Sequence, residues 1–339
     1  MHAFFEIWHC IWALLGCSFN LMLIYMAIYK SPKTIRSYAT LIINFAVTDF
    51  FECALDLFIQ IRLMPAPGDV TVIYILNGSC KYISQFACKI GLSLFLPCIT
   101  HSVWSLLLSF GYRYYILHYS ALTRLKLVKI VLLILIPSLF QGLTFWTSFA
   151  PLEIILPLAK KWFPQYNFEA ETGVLTGIVD ITHWAATYAV FNICLPIFPI
   201  YIAIFILRQK IITFLGAKTQ SMSPDTKAAH SQLLKALTIQ AFIPIFMGIG
   251  VIFYLIAQSG LIVSPIVENA IFSIAILMPA LSPLTYFYFV RPYRQFLKRI
   301  FKNPFKVSAA YVQRTGSSSA MFQSGGHPSQ IGTQATTVL

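Results

Sequence analysis

Charge is what this sequence has least of. Asp, Glu, Lys and Arg together make up 10% of its 339 residues, against about 25% in soluble domains. That scarcity excludes an ordinary soluble enzyme, a coiled coil and a disordered chain, each of which needs a charged surface. Catalytic and metal signatures are missing as well. There is no Gly-rich phosphate loop, no HExxH and no Ser/His/Asp order. The histidines His2, His9, His101, His118, His183, His230 and His327 show no ligand spacing. The sequence therefore asks for no metal and no cofactor, and it predicts no enzyme. Seven cysteines spread over so long a chain make no disulfide framework; Cys17, Cys53, Cys98 and Cys194 lie in apolar runs and read as small core residues. Period-two alternation, the mark of a membrane barrel, is missing. No segment repeats another, which leaves an inverted-repeat transporter without support.

What is there is hydrocarbon. Apolar residues make up 58% of the chain and the mean hydropathy is +0.74. Seven runs are long enough to span a bilayer, each near the 20 or so residues a spanning helix needs. They cover about 5–29, 39–61, 88–112, 127–149, 183–207, 233–257 and 266–290. Lipid permits only helices or closed barrels, so the predicted fold is an all-α membrane protein, a bundle of seven transmembrane helices. The first run has no basic stretch before it and is too long for a signal-peptide core. It reads as an uncleaved anchor with its N-terminus outside. The net charge is +13, but the basic residues sit between apolar runs rather than on one soluble face, which argues against nucleic acid. With the N-terminus outside, 19 of the 24 Lys and Arg fall on the inner side, and Asp225 is the one acid there. That asymmetry sets the orientation.

After the seventh run, Phe296, Leu297, Ile300 and Phe301 share a face that Arg294, Lys298 and Arg299 largely avoid. A short amphipathic helix over about 292–301, lying on the anionic inner leaflet, is expected. Residues 306–339, beyond a receptor domain of 1–305, read as a disordered cytoplasmic tail. The tail ends Thr337-Val338-Leu339, like a ligand of a PDZ protein.

Polar residues inside the runs are few and informative. Asp49, Glu52 and Asp56 share one helix face. Carboxylates at that depth cost several kcal/mol unless they face protein or water. They form either a polar packing seam or an ion or proton site. Arg113, between Tyr112 and Tyr114, is either a residue snorkelling to the inner surface or a switch. Ser282-Pro283-Leu284-Thr285-Tyr286 closes the seventh run, and Pro199 and Pro244 mark further kinks.

Together these features resemble the seven-helix G-protein-coupled receptors. Asn20 matches the polar residue of their first helix. Asn44-Phe45-Ala46-Val47-Thr48-Asp49 is close to their Asn-Leu-Ala-x-x-Asp. Tyr112-Arg113-Tyr114 is similar to Asp-Arg-Tyr with the acid lost. Phe242-Ile243-Pro244 is similar to Trp-x-Pro, and Ser282-Pro283-Leu284-Thr285-Tyr286 to Asn-Pro-x-x-Tyr. Asn77-Gly78-Ser79-Cys80-Lys81-Tyr82, the stretch from His101 to Leu117, and Arg291-Pro292-Tyr293-Arg294 narrow the resemblance to nematode chemosensory receptors of serpentine receptor class delta, over about 5–305.

The resemblance implies a chemoreceptor at the plasma membrane of sensory cilia that binds a small ligand and activates a heterotrimeric G protein. It implies Arg113, Pro244 and Tyr286 as switch residues. With the acid before Arg113 lost, an Arg113–Asp225 pair is expected to hold the resting state. Asp49, Ser102 and Ser282 are expected to form a sodium or water site. Glu52, Asp56, Phe95, Ile99, Phe242 and Phe272 are expected to line a pocket for an apolar ligand. These receptors commonly bridge the top of segment three, here Cys88, to the loop after segment four; that loop, about 150–182, has no Cys, so Cys80 is the expected partner, with Cys10 second. Asn77-Gly78-Ser79 is a glycosylation sequon. A seven-helix ligand-gated channel and a proton-coupled transporter are the other readings; the charge asymmetry opposes the first and the missing repeats the second.

The orientation is directly testable. An epitope on the tail, on receptor confirmed at the cell surface, should stain only after permeabilisation; staining of intact cells would overturn the assignment.

Overall fold

A computed structural model describes residues 2–31, 38–217 and 224–302. The described helices are α1 (His2–Tyr29), α2 (Ala39–Ile59), α3 (Gln85–His118), α4 (Arg124–Phe145), α5 (Leu152–Trp162), α6 (Trp184–Cys194), α7 (Ile197–Ala217), α8 (Pro224–Gln240), α9 (Ile245–Gln258), α10 (Pro265–Ala275), α11 (Leu277–Phe289) and α12 (Arg291–Lys302). The chain divides into two compact units between Tyr293 and Arg294, earlier than the 305/306 boundary read from composition. Of the second unit, the described part is the end of α12. The tail, with its PDZ-like end, lies outside the described residues.

Seven spans follow from these helices, because three of them are built from two helices in line. The break positions have one cause. Proline lacks an N–H and collides with the carbonyl four residues earlier. Pro199 lies four residues after Leu195, Pro244 after Gln240 and Pro279 after Ala275, and α6, α8 and α10 end at or one residue before those positions. Elsewhere α3 and α4 run unbroken through Pro97 and Pro137. Helix starts are capped where the sequence supplies a hydroxyl. Ser84 accepts from the Ala87 N–H, Thr123 from Lys126, and Ser264 from Ile266 with Pro265 next in line. Six spans are long and apolar enough to cross a membrane. The remaining one, α2, is 21 residues long and carries Asp49, Glu52 and Asp56.

Within the bundle α3 is central, packing on α2, α4 and α7, while α1 packs on α2 and α11. The spans α3 and α10–α11 are well enclosed, and α6–α7 and α8–α9 are largely exposed along their lengths. The helical ends differ from the hydropathic ones chiefly on the inner side. There α3, α7 and α8 run beyond the apolar stretches that announce them, because a helix stays helical after its side chains turn polar.

The outer loops hold structure that the sequence reading does not assign. Strand β1 (Ile61–Pro65) pairs antiparallel with β2 (Val72–Leu76), and β2 with β3 (Val174–Ile178) from the loop after α4. The sheet lies across the outer end of the bundle. Its inner face presents Ile61, Leu63, Val72, Tyr74, Leu76 and Ile178 to the helices. Its outer face, with Met64, Ile73 and Ile75, is covered by Ala159 of α5 and by Phe163 and Phe168. Strands buried on both faces show no alternation, which is why periodicity is silent here. Segment two, read through 61, stops at Ile59. There Gln60 takes a left-handed conformation (φ 39°) and turns the chain into β1. The β1–β2 turn needs Gly68 at φ +71°.

The sheet is fastened at each edge. Cys80 and Cys88 form a disulfide that ties the turn after β2 to the top of α3. The Gln258 side chain of α9 donates to the carbonyls of Ala66 (3.0 Å) and Asp69 (2.7 Å) in the β1–β2 turn. Arg62, buried on β1, donates to Glu268 of α10 at 2.9 Å and to Glu171 at 3.1 Å, with its guanidinium over the Tyr166 ring. Burial and the Glu268 carboxylate push the Tyr166 phenol up to about 12, so it stays protonated and donates to Glu268 at 2.9 Å. On the far side, β3's edge is closed by the Ala150 N–H donating to Gly177.

Breaking a buried ion pair from one side leaves an uncompensated charge, at a cost of about 3–5 kcal/mol. Arg62→Ala should therefore lower the thermal midpoint of purified receptor by several degrees. Arg62→Ala combined with Glu268→Gln should recover a good part of the loss; equal losses would show that the cluster holds nothing.

Candidate functional site

The outer half of the bundle encloses a cavity of about 330 Å³. Its roof is the inner face of the sheet: Leu63, Val72, Tyr74 and Ile178. Its walls come from α3 (Leu96, Ile99), α6 (Ala186, Ala189, Ile193), α9 (Met247, Gly250, Tyr254) and α10 (Ile271, Phe272). No charged side chain reaches it. The size falls at the lower end of small-molecule pockets.

Of the residues expected to line a pocket, Ile99 and Phe272 do so. Phe95 is buried one layer behind, edge-on to Phe272 at 6.0 Å. Phe242 is not in the cavity: it is 66% exposed on the outside of the bundle, because the turn between α8 and α9 points it outward. Glu52 and Asp56 are fully buried but face away from the cavity. Asp56 pairs with His9 of α1 at 2.8 Å, and the other His9 nitrogen meets Ser273 of α10 at 2.9 Å. Sequence reasoning treats His9 as unremarkable. A lone histidine in an apolar run could have been matched to the facing acid only with α1 and α2 already side by side.

Below the cavity lies a polar centre. Ser102 of α3 donates to Asp49 of α2 at 3.4 Å, and Gln240, the last residue of α8, donates to Ser282 of α11 at 2.9 Å. Asp49, Ser102, Gln240, Pro244 and Ser282 all line a small void of about 30 Å³, roughly the volume of one water. The structure thus brings together the three residues singled out for an ion or water site. It adds Gln240, whose signal in the sequence is an amide four residues before Pro244. Nearby, Asn20 of α1 donates to the Pro279 carbonyl at 3.1 Å. Asn44 donates to Ser105 at 2.7 Å, and His101 contacts both. Gln141 of α4 accepts from Thr100 of α3 and Asn192 of α6. Gln141 and Asn192 are polar joints that no motif announces.

At the inner end Arg113 is buried, with its guanidinium 5.5 Å from the Tyr38 ring centroid. The Tyr38 hydroxyl is faced by Arg113, Ser109 and Tyr286. Tyr286 is fully buried, and Tyr112 beside Arg113 stacks on Tyr115 at 6.3 Å. The Tyr293 hydroxyl meets Ser31 at 2.7 Å. The Asp225 side chain, expected to pair with Arg113, lies outside the described residues. Asn77 directly follows β2, half-buried, with its N–H donating to the Gln60 carbonyl.

Comparison with known proteins adds the following. Residues 5–299 match the family described as serpentine type 7TM GPCR chemoreceptor Srd. The chain is 64% identical to serpentine receptor class delta-18 of Caenorhabditis elegans over 99% of each chain, and 63% identical to class delta-19 of the same organism over 98% of each. It is 36% identical to class delta-3, covering 84% of this chain and 83% of that one. Squid rhodopsin superposes with a TM-score of 0.59 at 16% identity, over 88% of this chain and 84% of that one, a likeness of fold.

A real cavity tolerates filling. Ala189→Phe, directed into it, should leave the thermal midpoint unchanged or raise it. Ala13→Phe, in the closed α1–α2 contact, should cost about 1–3 kcal/mol. Equal losses at both positions would mean the cavity collapses in solution.

Proposed function

Because the chain belongs to the Srd family of seven-helix, G-protein-coupled chemoreceptors, a multi-pass membrane protein and not an enzyme, we propose that a small apolar ligand held in the outer cavity activates a heterotrimeric G protein at the inner end. The observation that carries this reading is the uncharged cavity beneath the sheet, walled by both α9 and α10. A site without charge selects neutral ligands, since burying an unpaired ion there costs several kcal/mol. The receptor acts at the plasma membrane of sensory cilia.

The path from cavity to inner surface runs through α9. Its lower end is the proline break at Phe242–Pro244, and Gln240 just below holds Ser282. A ligand that binds better to one position of α9 shifts the equilibrium by that difference and no more. Tilting α9 at the break moves Gln240 against Ser282 and Asp49, and so changes how α8 stands against α3 and α11. Arg113 and Tyr286, released from their buried contacts, then meet the G protein. Asp225 is Arg113's proposed resting partner. Asp49, Ser102 and Ser282 bind sodium with water in the resting packing.

The test is G-protein dissociation in cells presented with small neutral volatile and lipid-like compounds. Compounds that activate the wild type should fail with Arg113→Ala and with Ala189→Phe at equal surface expression. Sodium should shift the affinity of such a compound in wild type and not in Asp49→Asn. Exchanging the charges at 113 and 225 should restore the basal activity that either reversal alone alters. Ligand-evoked current without a G protein would replace this reading by a channel.

A further inference from the structure

The cavity is shut on the water side and open on the lipid side. Its roof is a two-layer lid, the sheet and the α5 layer above it, fastened at its edges. Every roof residue of the cavity is buried, as are its α3 and α10 residues Leu96, Ile99 and Ile271. The exposed members of its lining come from α6 and α9. Val190 is 42% exposed, Val251 40% and Leu255 58%, and Cys194 is exposed with them. These residues are at once cavity wall and outer surface of the bundle. They mark a gap between the outer halves of the fifth and sixth spans.

The position of that gap decides what it meets. Val190 is seven residues along the helix from His183, about 10 Å at 1.5 Å per residue. The half-thickness of the hydrocarbon core is about 15 Å, so the mouth opens into the outer leaflet's acyl chains. No Asp, Glu, Lys or Arg lies on α6 or α9, or among the residues joining each to the rest of its span. A molecule dissolved in lipid therefore crosses no charged rim and sheds no hydration shell at this mouth. The helices on either side can separate. The α6 helix is anchored to α4 through Tyr188 and Gln141, and α9 packs on α10. Each is cut from its inner continuation by a proline break.

Resting on the reading of this cavity as the ligand site, we propose that its ligand is a membrane-partitioning, neutral aliphatic molecule that reaches it sideways from the outer leaflet, through a portal between α6 and α9, with Val190, Val251 and Leu255 as its sill. The lid is then a seal against water rather than a gate. Ligands are selected first by their solubility in hydrocarbon and then by fit.

The probe is a diazirine-bearing straight-chain alcohol of about ten carbons, equilibrated with full-length receptor in lipid nanodiscs and photolysed at set times. Adducts are mapped by mass spectrometry. The wild type should be labelled on cavity residues, Met247, Tyr254 and Phe272 among them. Val190→Trp with Val251→Trp, placed to close the portal, should slow that labelling about tenfold or more while leaving labelling of the lipid-facing Leu132 and Leu133 unchanged. Gln258→Ala, which loosens the lid, should not speed it. Thermal midpoints within a few degrees of wild type establish that each variant is folded; if the double variant falls below that, Leu255→Trp takes its place. Cavity labelling that survives the plugs, or that Gln258→Ala accelerates, overturns the portal and leaves the cavity reading standing. A wild type never labelled in the cavity overturns both.

Discussion

Lipid offers no hydrogen bonds, so every backbone group within the bilayer must be satisfied by the protein. Much of this architecture answers that constraint at its prolines. Three spans carry a proline that frees a carbonyl and ends a helix. Near each break a polar side chain occupies the weakened turn or its neighbour. Asn20 donates to the Pro279 carbonyl, Gln240 closes α8 ahead of Pro244 and reaches Ser282, and Asn192 lies just before the break at Leu195 and reaches Gln141. The breaks are thus joints tied to neighbouring helices, and they leave α6 and α9 as short outer helices distinct from their inner continuations.

The same constraint separates two kinds of interior. Around α2 the bundle pairs Asp56 with His9 and hydroxyl-bonds Asp49 to Ser102, while the third carboxylate, Glu52, is buried between them. Around α6 and α9 the cavity meets no charged side chain. A cavity bordered by carboxylates would fill with water. By placing the acids on the α1–α2–α11 side, the fold leaves the α6–α9 side without charge.

The sheet above could not exist a turn lower. Its open edges demand partners that lipid lacks, and it finds them outside in α10, the residues before α5 and the loop after it. Arg62 shows how far this enclosure goes. Its charge is buried against two carboxylates and an aromatic face, where a surface arginine would have snorkelled. Such a cluster adds less to net stability than to registry, fixing which strand meets which helix.

The sequence by itself determined the seven-helix class and the family, because run length and short motifs are local quantities, and its charge asymmetry supplies the orientation it predicts. It also placed Asp49, Ser102 and Ser282 together through the resemblance, and the structure brings them to one void. Other features were invisible for a physical reason. The strands Ile61–Pro65, Val72–Leu76 and Val174–Ile178 are buried on both faces, so nothing alternates. Phe242 looked like a wall because its motif places it there, but the direction of a side chain at a helix break is set by how α8 and α9 meet. His9 and Asp56, Arg62 and Glu268, and Gln240 and Ser282 are 47, 206 and 42 residues apart. Only tertiary packing decides such partners, because each choice minimises the cost of burying a polar group whose neighbour lies on another segment of the chain.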